Sequence, residues 1–283
     1  MPENLTQEKP LATIWRVPDE LWEKIEPILA LHDPPKSTGR PRVDQRAALD
    51  AIIFRMRSGC QWNHLPKEEF PDDSSAHRTF QRWIEKGVLD LIWEEMIEEC
   101  KELGGVDFEW QAADGAMGKA RFGGTKLGPN PTDRAKAGVK RSLLVEADGG
   151  PLSVVIAGAN VPDFKLLDAT LDAIVIERPL PTEEAPQHLC LDKGYDKEPA
   201  REVVERYSYT PHIRKIGEEK KNAVGEKRYP ARRWVVERTL GWLSKCRAIL
   251  VRYEKKASNY LGLIKVACIL LWYRRQHRLS LLR

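Results

Sequence analysis

The hydrophobic period of this chain changes once, near residue 107. Before that point apolar side chains recur every three or four positions, the period of helices with one buried face. After it, short apolar runs are divided by turn residues, and helical spacing returns only between them. A chain patterned this way is neither a pure helical bundle nor a pure β sandwich. It reads as a small helical unit, residues 1–105, followed by a mixed α/β unit, residues 106–283.

Four helices are expected in the first unit. One opens at Pro18-Asp19, with Asp19 as its cap and Leu21, Trp22, Ile25, Ile28 and Leu29 on one face. The segment 34–42 holds Pro34, Pro35, Gly39 and Pro41 and cannot be helix interior. A second helix covers about 44–58, with Ala48, Leu49, Ile52, Ile53 and Met56 inward, and Gly59 ends it. Ser74 and Ser75 are the expected caps of a third, which carries His77, Arg78, Phe80, Arg82 and Trp83. An acidic fourth runs about 89–103. Helix, turn and a capped basic-aromatic helix is the pattern of a helix-turn-helix module, which makes His77, Arg78 and Arg82 candidate DNA contacts. Gly39-Arg40-Pro41-Arg42 resembles an arm that follows a minor groove, adding Arg40 and Arg42. A plain bundle with an ordinary linker has the same outline.

In the second unit a strand over 107–114 ends at Asp114. Strands at 141–146 and 151–157 flank the hairpin signal Asp148-Gly149-Gly150. Helical spacing follows over 163–174, then a strand at 188–191 ending at Asp192, a helix over 198–207, a strand at 210–213 and a helix over 232–250. This is the element order of the RNase H-like fold, an α/β class. The polar insert 217–229 has no assigned role.

Composition excludes several classes. Hydrophobic residues are 42% and charged residues 31% of the chain, which rules out a disordered or collagen-like protein. The longest apolar run, 260–273, is interrupted by Lys265 and is too short to span a membrane. The first ten residues show neither a basic nor an apolar leader region, so a cytoplasmic protein is expected. Five scattered cysteines without a CxxC pair argue for a reducing compartment. Charge is divided unevenly. Residues 1–192 hold 23 Lys/Arg against 33 Asp/Glu, and residues 193–283 hold 23 against 9. A basic block with interleaved Trp234, Trp242 and Tyr253 points to a polyanionic partner, most simply nucleic acid.

Within 228–283 the only acids are Glu237 and Glu254. Glu237 therefore stands out beside Asp114 and Asp192, both at ends of expected strands, where α/β sites collect. Three converging carboxylates repel one another unless cations lie between them. Hard divalent ions such as Mg²⁺ or Mn²⁺ take such oxygen ligands, and a pair of them serves phosphoryl transfer. Each acid also has a plainer reading: Asp114 as a turn residue, Asp192 as a cap, Glu237 as the i,i+4 partner of Arg233.

The segments Ala113-Asp114-Gly115, Leu191-Asp192-Lys193-Gly194-Tyr195-Asp196 and Arg232-Arg233-Trp234-Val235-Val236-Glu237-Arg238-Thr239 resemble the three catalytic motifs of bacterial DDE transposases of insertion-sequence family five. Gly39-Arg40-Pro41-Arg42, Arg57 to Pro66 and Val251-Arg252-Tyr253-Glu254-Lys255 resemble that family too. The resemblance implies Asp114, Asp192 and Glu237 as metal-binding catalytic residues. It also implies a head that recognises terminal inverted repeats. Relatives often space Tyr, Arg, Glu and Lys regularly around the third acid. Here no single arginine fits both gaps, and Lys245 falls one place late, so Arg233, Arg238 and Lys245 are read as DNA-phosphate contacts. Ala116 stands where a hydroxyl residue often follows the first Asp.

The expectation is thus a transposase. It binds double-stranded DNA as a homodimer on paired ends, and uses two Mg²⁺ or Mn²⁺ ions for cleavage and strand transfer. The rivals are a non-catalytic DNA-binding regulator and an RNase H-like nuclease without transfer.

Overall fold

A computed structural model of the chain describes residues 12–213 and 232–281. The first ten residues, Arg214, the insert 217–229 and Tyr229 lie outside the described residues.

The head holds α1 (Asp19–His32), α2 (Gln45–Ser58), α3 (Asp73–Glu85) and α4 (Val88–Glu102). Its caps differ in part from expectation. Asp44 caps α2 by accepting from the Ala47 amide at 2.7 Å, and Gly59 closes it at φ +71°. The residue before α1 is Pro18, without a side-chain cap, and Asp19 pairs with Arg46 instead. Asp72 rather than Ser74 or Ser75 caps α3, accepting from the Ser75 amide at 2.9 Å. A carboxylate one turn ahead satisfies an orphan amide that the serines would otherwise have served.

The body contains β1 (Trp110–Ala120), β2 (Gly128–Pro129), β3 (Ala137–Glu146), β4 (Pro151–Gly158), α5 (Leu167–Asp172), β5 (His188–Leu191), α6 (Glu198–Arg206), β6 (Thr210–Ile213), α7 (Arg233–Ser244), α8 (Arg247–Leu250), β7 (Val251–Arg252) and α9 (Ala257–Leu281). β4, β3 and β1 form an antiparallel meander, and β5 and β6 extend it in parallel on the other side of β1. That is the RNase H-like topology. The hairpin turn is as expected, with Gly149 at φ +90°.

Three elements depart from the sequence expectation. β1 begins three residues later and runs six residues past Asp114, because β3 pairs with it as far as Lys119. The helix expected over 163–174 is a 3-10 turn, Asp163–Lys165, followed by α5. The long helix expected over 232–250 breaks at Lys245 and Cys246, where Cys246 turns extended before α8.

α9 is buried on several faces: Tyr260, Leu263, Ile264, Cys268, Trp272 and Tyr273 are all inaccessible or nearly so. A helix apolar all round must be central. It packs on α4 and on β4, so head and sheet share one hydrophobic core. Trp93 of α4 and Trp272 of α9 both donate to the Pro151 carbonyl, at 3.2 and 2.7 Å. A side chain on Gly150 would meet the Trp272 ring at 2.3 Å, so the hairpin end requires glycine there. Arg55 of α2 and Glu254, both buried, pair at 2.8 Å and join head to body. No described helix is long and apolar enough to cross a membrane.

Candidate active site

The registers of β1 and β5 place the first two carboxylates. Ala112 lies opposite Cys190, the last parallel pair between these strands. Two residues further along each chain come Asp114 and Asp192, level with one another and on one face of the sheet. There β1 leaves β5 and continues only with β3, Asp114 facing Leu143. The sheet opens at that fork. Asp114 is thus a mid-strand residue, not the end of a strand as expected from the sequence.

α7 lies over β1 and β3 and brings the third carboxylate. Arg233, in its first turn, donates to Asp192 at 2.8 Å and to Glu237 at 2.7 Å. Asp114 accepts from the Gly115 amide at 2.7 Å, and Asp192 from the Lys193 amide at 2.6 Å. Two of the plainer readings are therefore realised beside the convergence: Glu237 has its i,i+4 partner, and Asp192 caps a short 3-10 turn.

The electrostatics are strained in one direction. Burial, with the charges of Asp163 and Asp192 adding, pushes the Asp114 carboxyl up to about 6 against the Gly115 amide and Arg233. Burial works against the Arg233 charge, but Asp192, Glu237 and Asp114 raise its pKa. Among the described residues no group of three His, Cys, Asp or Glu is close enough to hold a metal ion. The one cation at the fork is a guanidinium.

The sequence reading passed over Asp163 and Lys140. Asp163 accepts from the largely buried Lys140 ammonium at 2.8 Å through Oδ2. Its Oδ1 is buried without a hydrogen-bond partner and sits where a side chain on Gly115 would go, 2.0 Å from that Cβ position. The residue after Asp114 is glycine for that reason. Nothing in one sequence links positions 115 and 163; only the turn after β4 does.

The candidate DNA contacts divide. Arg40, Arg78 and Lys245 are exposed. Arg42 and Arg82 serve the protein interior instead: both bind Asp33, at 2.7 and 2.9 Å, with Lys86 and the Trp83 indole on the same carboxylate. Asp33 is wholly buried, and an ionised buried carboxylate needs these partners. His77 stacks on Trp62 at 4.6 Å and faces Asn259, with burial lowering its pKa, so it too points inward. Arg238 lies between Trp234 and Trp242 and donates to the Asp148 carbonyl.

An RNase H-like sheet with carboxylates at its fork and a third on the crossing helix defines a polynucleotidyl-transferase architecture. The chain belongs to the transposases: residues 110–272 match the "Transposase DDE domain" family, and residues 17–93 match "Putative transposase of IS4/5 family". Over 160 residues it is 36% identical to the "Putative transposase for insertion sequence element IS402" of Burkholderia cepacia, covering 56% of this chain and 74% of that protein. It is 34% identical over 118 residues to the "Insertion element IS402 uncharacterized 16.2 kDa protein" of the same organism, covering 41% and 80%. Among solved structures, the Mos1 mariner paired end complex with Mn aligns over 93% of this chain and 88% of that one, at 12% identity and a TM-score of 0.27.

Proposed function

We propose that this transposase binds the terminal inverted repeats of its element through residues 1–105, and cuts and joins DNA with Asp114, Asp192 and Glu237. The observation that carries this reading is the level placement of Asp114 and Asp192 at the fork, with Glu237 tied to Asp192 through Arg233.

Carboxylate oxygens alone form a hard donor set, which suits Mg²⁺ or Mn²⁺. Asp114, Asp192 and Glu237 are the residues that hold the ions, and Arg233 must release Asp192 to admit them. When bound, two such ions supply charge neutralisation and an activated oxygen nucleophile. The protein's own groups do the rest. The Lys140–Asp163 pair holds the strand at Gly115. Arg233, once displaced, faces the DNA phosphates, with Lys245 further along the same basic stretch. Arg40 and Arg78 contact the repeat from the head. In the first step water attacks the phosphodiester at the element end and a 3′-hydroxyl leaves. In the second, that hydroxyl attacks a target phosphodiester and a target 3′-hydroxyl leaves. Joining two ends calls for a homodimer.

The test is a strand-transfer assay with labelled element-end DNA, read from the sequence flanking the gene, and a plasmid target. Joined product in Mg²⁺, absent in EDTA and with Asp192→Asn or Glu237→Gln, is expected. End binding without cleavage in any divalent ion would instead mark a DNA-binding regulator. Nicking without joining would mark a nuclease.

A further inference from the structure

Trp234 is a costly residue to leave in water, and 55% of its surface is open. It stands on α7, one position after Arg233. The Arg238 guanidinium lies 4.7 Å from the Trp234 ring and 4.8 Å from the Trp242 ring, so three planar groups stack at i, i+4 and i+8. The stack is fixed from below. Arg238 donates to the Asp148 carbonyl in the β3–β4 turn. A side chain on Gly149 would come within 3.0 Å of Arg238 and 2.8 Å of Thr239, so this turn must be glycine to admit the ladder. The Arg238 Nε is buried and has no hydrogen-bond partner, so this arginine is placed for stacking and for one carbonyl rather than for a full set of bonds.

The ladder adjoins the site. Trp234 lies about 4.5 Å along the helix axis from Glu237 and about 60° round it. The described charges over 232–250 are Arg232, Arg233, Arg238, Lys245 and Arg247 against Glu237 alone. A flat aromatic face rimmed by positive charge fits a ligand that is both a polyanion and a stack of π faces.

We propose that Trp234, backed by Arg238 and Trp242, is the platform on which an unpaired nucleotide of the DNA end stacks while its strand is held at the carboxylates. This rests on the DNA-joining reading above and adds to it that the end is bound splayed, not fully paired. Trp234 is a binding residue here and takes no part in bond making.

The experiment compares binding of the full-length protein to two forms of one element-end duplex in EDTA. One form is blunt; the other carries a few unpaired 3′ nucleotides including 2-aminopurine. The wild type is expected to bind the splayed form roughly tenfold more tightly, within the range of one base–aromatic stack, and to quench the 2-aminopurine. Trp234→Ala is expected to bind both forms equally and without quenching, while Trp234→Phe retains most of the preference. Circular dichroism melting confirms that both variants fold, since the indole is largely exposed. A splayed-end preference unchanged in Trp234→Ala overturns the proposal. So does a variant that loses only self-association, which would make this face a contact between copies. Failure of the wild type to bind the blunt duplex as well would remove the DNA reading itself, a separate result.

Discussion

Arg233 donates from Nη1 to Asp192 at 2.8 Å, and its other terminal nitrogen holds Glu237. One guanidinium thus stands where a divalent cation would join a strand-end acid to a helix acid. Arg233→Gln is expected to tighten Mn²⁺ binding to the DNA-free protein, measured by calorimetry, because the competing charge is gone. The same variant should bind DNA less tightly and with a weaker salt dependence. Unchanged Mn²⁺ affinity would mean that Arg233 is not the competitor.

Asp114 makes stability depend on pH. Its folded pKa, about 6, lies above the ordinary carboxylate value because the site is buried. The folded state therefore holds the proton more tightly. The stabilisation is complete below the unfolded pKa and is lost as pH rises through 6. In EDTA, Asp114→Asn should remove that part of the decline between pH 4 and pH 7.5, of order 1–3 kcal/mol. Urea denaturation across this range measures it, and parallel profiles for the two proteins would contradict the assignment.

Gly115 and Gly241 are both glycines near acids, with opposite expectations. Gly115→Ala drives a methyl into Asp163 Oδ1 and should separate Asp163 from Lys140, at a cost of about 1–3 kcal/mol. A side chain at Gly241 meets nothing within 4 Å, and alanine suits a helix better, so Gly241→Ala should be neutral or stabilising by up to about 1 kcal/mol. Thermal melting of the two variants separates the cases.

Arg82 and Arg78 share a helix and should differ in kind. Arg82→Ala strips a hydrogen-bonded partner from wholly buried Asp33, which is expected to cost about 3–5 kcal/mol. Burial alone would raise the Asp33 pKa, but Arg82, Lys86 and Trp83 together hold it well below the usual range. That stability is present above the unfolded carboxylate pKa and is lost in strong acid. Exposed Arg78→Ala should shift stability by less than about 0.5 kcal/mol and lower the salt slope of DNA binding by about one. Denaturation and salt-titrated binding of both variants test the division.

Glu254 is the body's half of a buried latch to the head. Glu254→Ala leaves Arg55 charged and buried, at a cost of about 3–5 kcal/mol. The paired change Arg55→Met with Glu254→Leu should recover much of that loss, because the two charges then go together. Equal destabilisation by the single and the double variant would show that the ion pair is not what joins the units.

Local rules of the chain were enough for its elements and their order. Apolar spacing marked α2, the hairpin around Gly149 and the four-residue strands β5 and β6, since burial periodicity is written into neighbouring residues. The acids Asp114, Asp192 and Glu237 could be picked out because each interrupts an apolar or basic run. Ends were less legible. β1 outran Asp114 because its partner β3 lies more than 20 residues away, and the helix after Arg233 broke at Cys246, where the chain turns extended before the short helix that follows. The assignment of individual arginines was decided only by tertiary structure. Arg42 and Arg82 look like DNA contacts in sequence, yet a buried carboxylate on another helix claims both. Periodicity reports which side of an element is apolar; it carries no information about which charge, tens of residues distant, will need neutralising once water is gone.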